Sequence, residues 1–187
     1  MAIFYLIIVL FVGAFILFFS FSYLVSLHRL TRGGAPFVPV PNSVLPEITN
    51  ALEIKERSVV YDLGCGDGKV LAACYNIQPL ANYVGYEISL AVFLLAWIRN
   101  RKSGRSRKTK IFRKNFFRED LSKATHVFTY LLPRQMKELE IKFEKEFAPG
   151  TRLVSCTFPL ENRKPEKVIL LNRSKFSIAS KLYVYDF

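Results

Sequence analysis

The first pattern along the chain is an unbroken apolar run. From Ala2 to Leu27 no side chain is ionisable apart from Tyr5 and Tyr23, and Ile, Leu, Val and Phe dominate. A helix of about 20 such residues crosses the hydrocarbon core of a bilayer. A helix also pairs its own backbone polar groups, which lipid cannot do, so the run predicts one transmembrane anchor within residues 1–28. A secretory signal would instead have a basic start, an apolar core of about 7–15 residues and a small-residue exit. No Lys or Arg precedes this run and no clean Ala-x-Ala exit follows it, so an uncleaved anchor is expected. A buried core helix of this length would carry a polar face, and this one has none.

Beyond the run the pattern shortens. The glycines and prolines between Thr31 and Pro41 exclude regular structure, which makes residues 29–42 a linker. Asn42 or Ser43 can cap a helix running to about Leu52, and Ser58 to Leu63 reads as an apolar strand ending at glycines. A helix to about Tyr75, a strand from Asn82 to Glu87 and a helix from Leu90 to Arg99 follow. Next come strands at Lys110 to Phe112 and His126 to Leu131, a helix from Arg134 to Phe147, and a strand from Arg152 to Phe158 after the Pro149-Gly150 break. Alternation of this kind predicts βαβ crossovers and a mainly parallel sheet covered on both faces. Val168 to Leu171 and Ile178 to Tyr185 have no helix between them and predict an antiparallel hairpin at the sheet edge. Residues 43–187 are then one α/β domain, a size that suits a single core.

Charge adds a direction. The 27 Lys and Arg outnumber the 15 Asp and Glu, and the net +12 lies beyond the apolar run. Arg29 and Arg32 follow the run directly, which places the C-terminal side in the cytoplasm or its matrix equivalent and the N-terminus outside. Cations are densest over residues 99–114. That segment reads as a solvated loop or as a contact with anionic lipid, where each cation is worth about 1 kcal/mol. Nucleic acid is not the expected partner, because the run from Arg99 to Lys110 has no interleaved aromatic rings to stack on bases. Cys65, Cys74 and Cys156 are odd in number and lack metal-ligand spacing, so free thiols and no metal are expected.

The candidate chemistry lies where the strand at Val59 to Leu63 meets Gly64-Cys65-Gly66-Asp67-Gly68-Lys69. A strand running into closely spaced glycines marks a nucleotide-type ligand at the carboxyl edge of a parallel sheet. A dinucleotide fingerprint counted from Gly64 needs glycine where Lys69 stands, and a phosphate loop needs glycine and Ser or Thr where Leu63 and Val70 stand. Helix N-termini attract anions, yet Asp62 and Asp67 would repel a pyrophosphate. Carboxylates favour a ligand with a sulfonium and an ammonium group and no phosphate, which is S-adenosylmethionine. Glu87 ends the second strand 25 residues after Asp62, where an acid can accept two ribose hydroxyls. Asn115 and Phe116, after the third strand, are placed to hold the adenine.

These residues resemble the class I S-adenosylmethionine-dependent methyltransferases, with their Rossmann-like seven-stranded sheet. The resemblance spans roughly residues 43–187. It implies that Asp62, Gly64, Cys65, Gly66, Asp67 and Gly68 wrap the methionine and ribose, and that Glu87 binds the ribose. A narrower likeness rests on Pro39-Val40-Pro41, Gly85-Tyr86-Glu87, Asn115-Phe116-Phe117, Tyr130-Leu131-Leu132-Pro133 and Gln135-Met136. It is to the small membrane-anchored lysine methyltransferases that modify the c-ring protein of ATP synthase and the adenine nucleotide translocase. Those proteins imply a membrane-associated protein substrate, but the basic insert departs from them.

Methyl transfer from a sulfonium can rest largely on positioning. A lysine nucleophile need only lose its proton, which burial among apolar groups promotes. Tyr130, near the end of the fourth strand, is the candidate for orienting the amine, with Pro133 beside it as the second catalytic-site residue. Phe37, Phe117, Pro133 and Phe158 are candidates for lining the acceptor channel. His126 reads as structural, and His28 as a membrane-interface residue. A quinone or lipid acceptor, or a non-catalytic cofactor-binding module, are the alternatives. Base methylation is disfavoured because Tyr130-Leu131-Leu132-Pro133 replaces the usual Asp/Asn-Pro-Pro-aromatic sequence.

Overall fold

The computed structural model describes residues 1–31, 37–171 and 179–187. Its internal contacts divide the chain into two units, Met1–Pro36 and Phe37–Phe187. The first contains helix α1 (Ala2–Thr31), within which Ile3–Phe21 is long and apolar enough to cross a membrane and has no part buried by protein. The expected linker residues 32–36 lie outside the described residues, as do the expected strand start at Ile178 and the side chain of His28.

The second unit is a seven-stranded sheet: β1 (Val59–Leu63), β2 (Asn82–Tyr86), β3 (Thr109–Phe112), β4 (His126–Thr129), β5 (Arg152–Cys156), β6 (Lys167–Leu170) and β7 (Lys181–Asp186), in the order β3-β2-β1-β4-β5-β7-β6. Strands β1 to β5 pair in parallel, whereas β7 runs antiparallel to both β5 and β6. The helices are α2 (Leu45–Leu52), α3 (Lys69–Ile77), α4 (Leu90–Lys102) and α5 (Pro133–Glu146). This is a Rossmann-like methyltransferase sheet.

Two cores sit on opposite sheet faces, and strand alternation explains them. Val60, Phe128, Val154 and Val184 join Ile48, Leu52, Leu71 and Ala96 of α2 to α4. Their neighbours Tyr61, Val127, Leu153 and Tyr185 join Met136, Leu139 and Phe143 of α5. Side chains one residue apart on a strand face opposite ways, so each strand feeds both cores.

Some local expectations change. Neither Asn42 nor Ser43 caps α2: Asn42–Val44 forms a 3-10 turn and the helix begins at Leu45, with Pro46 pre-set for its first turn. The basic segment is no simple loop, for α4 runs on to Lys102, Arg105–Arg107 is a 3-10 turn and Lys110 lies in β3. Asn100 anchors that extension by donating its side-chain amide to the Thr109 carbonyl at 2.8 Å. Strand β4 stops at Thr129 rather than Leu131, because Pro133 opens α5 and holds the residues before it extended.

Candidate functional site

Parallel strands carry their carboxyl ends to one edge, so the segments after β1, β2, β3, β4 and β5 gather there. The glycine loop follows β1. The amides of Gly64 and Cys65 both donate to the Tyr86 carbonyl at 2.9 Å, and the Gly68 amide donates to the Cys65 carbonyl at 2.9 Å. Gly64, Gly66 and Gly68 all have positive φ, a conformation that costs little only for glycine. A Cβ on Gly66 would also lie 2.5 Å from the Phe37 ring, so Phe37 leans directly over the loop. The segment after β4 closes from the other side, with Leu131 Cδ2 3.0 Å from where a Cβ on Gly64 would stand.

Asp62 is buried at the end of β1, and its Oδ2 has no hydrogen-bond partner among the described residues. Burial raises its pKa well above the carboxylate range, with Glu87 and Asp67 adding repulsion. A buried orphan carboxylate of this kind calls for a cationic partner. Glu87 braces the loop: Oε2 accepts from the Gly66 amide at 3.1 Å and Oε1 from the Ser89 amide at 2.7 Å. Asp67 is turned elsewhere. Its Oδ2 pairs with Arg99 at 2.8 Å and lies 3.7 Å from Lys69, so protein cations meet its charge. The electrostatic case for a cationic ligand therefore rests on Asp62 and Glu87.

Cys65 shapes the loop from beneath. Its thiol is buried against Gly85, its backbone groups are both bonded internally, and burial raises its pKa well above normal. Asn115 accepts from the Phe117 amide at 3.1 Å and so caps the 3-10 turn Phe116–Arg118. Phe116 is buried against Phe117, with ring centroids 4.7 Å apart. The exposed apolar side chain next to Glu87 is Ile88, which sequence reasoning passed over.

Tyr130 stands just past β4 and is half-buried against the first core. Burial raises its pKa, as does Cys156, while a hydrogen bond with the Thr157 side chain opposes this, so its hydroxyl stays neutral near pH 7. Thr157 has φ +75, a rare state for a β-branched residue, and its amide donates to the Lys181 carbonyl at 2.8 Å. Such strain concentrates at functional sites. Nothing in the sequence marks Thr157. Pro133 is exposed at the first position of α5, where Gln135 Oε1 accepts from the Leu132 amide at 3.3 Å. Phe117 and Phe158 pack against the second core.

His126 lies at the opposite end of β4, its Nδ1 2.8 Å from the Thr125 hydroxyl. Burial, then Arg152 and Lys55, lower its pKa to about 4. The unfolded chain therefore takes up this proton first, and stability falls as pH drops from about 6.5 toward 4. With its partial exposure allowed for, the loss is about 1–2 kcal/mol. His126→Gln is expected to flatten that part of the melting-temperature profile; an unchanged slope would place the acid sensitivity elsewhere.

The surroundings fit S-adenosylmethionine: an orphan buried carboxylate for its ammonium, a second carboxylate for its hydroxyls, and a loop kept open by glycine. Residues 62–167 match the sequence profile of the ANTKMT methyltransferase domain. A protein-lysine N-methyltransferase of Saccharolobus islandicus (strain REY15A) is 34% identical over 80% of this chain and 92% of its own length. The Homo sapiens lysine N-methyltransferase of the ATP synthase c-ring protein is 27% identical over 71% of this chain, which spans about 56% of that protein. Among solved structures, an RNA methyltransferase from Salinibacter ruber in complex with S-adenosyl-L-homocysteine superposes with a TM-score of 0.73 at 27% identity, over 80% of this chain and 93% of that one. The chain belongs to the ANTKMT methyltransferase domain family and is an S-adenosylmethionine-dependent methyltransferase.

Proposed function

We propose that the chain methylates a lysine of a membrane-associated protein, with α1 as a single-pass anchor and residues 37–187 on the cytoplasmic or matrix-equivalent side. The observation that carries this reading is the pairing of an exposed apolar helix, Ile3–Phe21, with a methyltransferase domain whose relatives are lysine methyltransferases. Residues 2–27 meet lipid, and the cations of 99–114 face anionic headgroups.

Bound S-adenosylmethionine supplies a methyl group already activated by its sulfonium. Asp62 holds the ammonium, Glu87 the ribose hydroxyls, and Gly64, Gly66 and Gly68 admit the backbone close to the ligand. Cys65 and Asp67 keep that loop in shape, while Asn115, Phe116 and Ile88 border the adenine. Tyr130, held by Thr157, orients the incoming amine through its neutral hydroxyl, with Pro133 and Phe37 beside it. Apolar walls favour the uncharged amine, the only form with a lone pair to attack.

Incubation of the purified full chain with methyl-labelled cofactor and native membranes tests the acceptor. The expected label sits on protein, in hydrolysates as methyl-lysine, and Tyr130→Phe lowers its rate by at least about tenfold, the lower range for loss of one positioning group. Label confined to lipid or RNA overturns the protein reading. RNA is included because the Salinibacter ruber neighbour carries that description.

A further inference from the structure

Helix α4 has apolar side chains on both sides. Ala96 and Asn100 turn toward the sheet, and Phe93 packs against the first core. On the other side Leu90 is 40% exposed, Leu94 38%, Leu95 59%, Trp97 38% and Ile98 43%. Leu90, Leu94, Trp97 and Arg101 follow one another at helical spacing of three and four, so they form a stripe along the outer face. A helix apolar all round is normally covered on every side, and this one is covered on one.

What surrounds the stripe identifies its cover. The Arg101 guanidinium lies over the Trp97 ring at 4.5 Å, joining an interfacial aromatic to a cation. Arg101, Lys102, Arg107, Lys110 and Arg113 have no carboxylate within ion-pair distance among the described residues, and no Asp or Glu occurs between Arg99 and Lys114. An exposed apolar stripe edged by unpaired cations matches the chemistry of a bilayer surface, apolar below and anionic at the headgroups. A protein partner would have to bring both a complementary apolar groove and a matching set of carboxylates. A bilayer offers both without shape matching.

We propose that the outer face of α4 docks on the membrane surface, with Leu90, Leu94, Leu95, Trp97 and Ile98 entering the acyl boundary and the 101–113 cations contacting anionic lipid phosphates. The inference rests on the reading of α1 as an anchor, which would keep this face beside lipid. It goes further, because α4 starts three residues after Glu87 and so begins at the sheet edge that holds the site. Docking through α4 would hold the domain in one orientation, with that edge close to the bilayer where a membrane protein presents its loops.

Trp97 is the only tryptophan in the chain, so its fluorescence reports this face alone. The full chain is reconstituted in phosphatidylcholine vesicles with and without phosphatidylglycerol, and its emission is followed with brominated lipid and with aqueous acrylamide. The expected result with phosphatidylglycerol is a blue-shifted emission that bromolipid largely quenches and acrylamide does not. High salt, Lys102→Glu with Arg107→Glu, and Leu94→Asn with Ile98→Asn should each remove that quenching, while calorimetric cofactor affinity stays unchanged as the check on folding. Trp97 open to acrylamide in both vesicle types overturns the proposal. So does a Trp97 shielded from acrylamide yet untouched by bromolipid, which would place another protein or a second copy on this face. A chain that does not float with the vesicles overturns the anchor reading and this one together; a chain that floats with Trp97 still open to water overturns this one alone.

Discussion

Asp62→Asn is expected to weaken S-adenosylmethionine binding by about 10- to 100-fold, the equivalent of one charge-assisted hydrogen bond of about 1.5–3 kcal/mol. The same change is expected to raise the melting temperature of the cofactor-free protein. Both follow from one buried carboxylate whose Oδ2 has no partner among the described residues and whose nearest charged neighbours, Glu87 and Asp67, are also acidic. Its folded pKa is raised, so the stability held by the neutral form is complete below the unfolded value and lost as pH rises through the folded one. Asparagine keeps the shape without that loss, and it also removes the charge that attracts the ammonium. Binding to the parent chain should tighten as pH rises through the Asp62 titration, and this dependence should vanish in the variant. Calorimetry across pH and thermal melts read both effects. An affinity within twofold of the parent, or a lowered melting point, would remove Asp62 from the site.

The second large effect is expected at Gly85, in the middle of the parallel sheet. A Cβ there would stand 2.8 Å from Cys65 Sγ, 2.8 Å from Leu71 Cδ1 and 3.0 Å from Cys65 Cβ. Leu71 has a flexible end that can shift. Cys65 cannot follow, because its amide and the Gly64 amide are both tied to Tyr86, the next residue of the same strand. Gly85→Ala should cost about 1–3 kcal/mol by overpacking, a fall of roughly 3–10 °C in melting temperature for a domain of this size. Cofactor affinity should fall with it, since the displaced residue carries the loop. Cys65→Ala in the same chain should recover part of the loss by removing the sulfur. Gly104→Ala serves as the contrast: nothing lies within 4 Å of its added Cβ, so only its positive φ of +71 opposes it. If Gly85→Ala melts no lower than Gly104→Ala, the close packing of loop on strand is not what holds the site.

Much of this architecture was readable from local patterning. Period-two strands, the glycine break after Leu63 and the acid at Glu87 depend on neighbours in the chain, and each emerged within a few residues of its expected place. The tail could be read as antiparallel because no helix separates its two strand-like runs. That β7 inserts between β5 and β6 could not, because strand order is set by contacts distant in sequence. The same limit applies to charge: Asp67 looks like a ligand group beside Asp62 until Arg99, 32 residues on, is found against it. Thr157 went unseen for a related reason. Its left-handed backbone opposes its own local preference and is held by the Lys181 carbonyl and by Tyr130.

The chain's own order of residues thus settled the kind of cofactor, the α/β class and the presence of an apolar helix that suits a membrane, since each is written in short-range spacing and side-chain type. Folding decided which carboxylate is left without a partner, which cysteine lies beneath the loop, and which apolar residues of α4 remain uncovered. Those outcomes depend on what the sheet brings within a few ångströms of each group. Burial and charge pairing act through space, so residues far apart in sequence decide them.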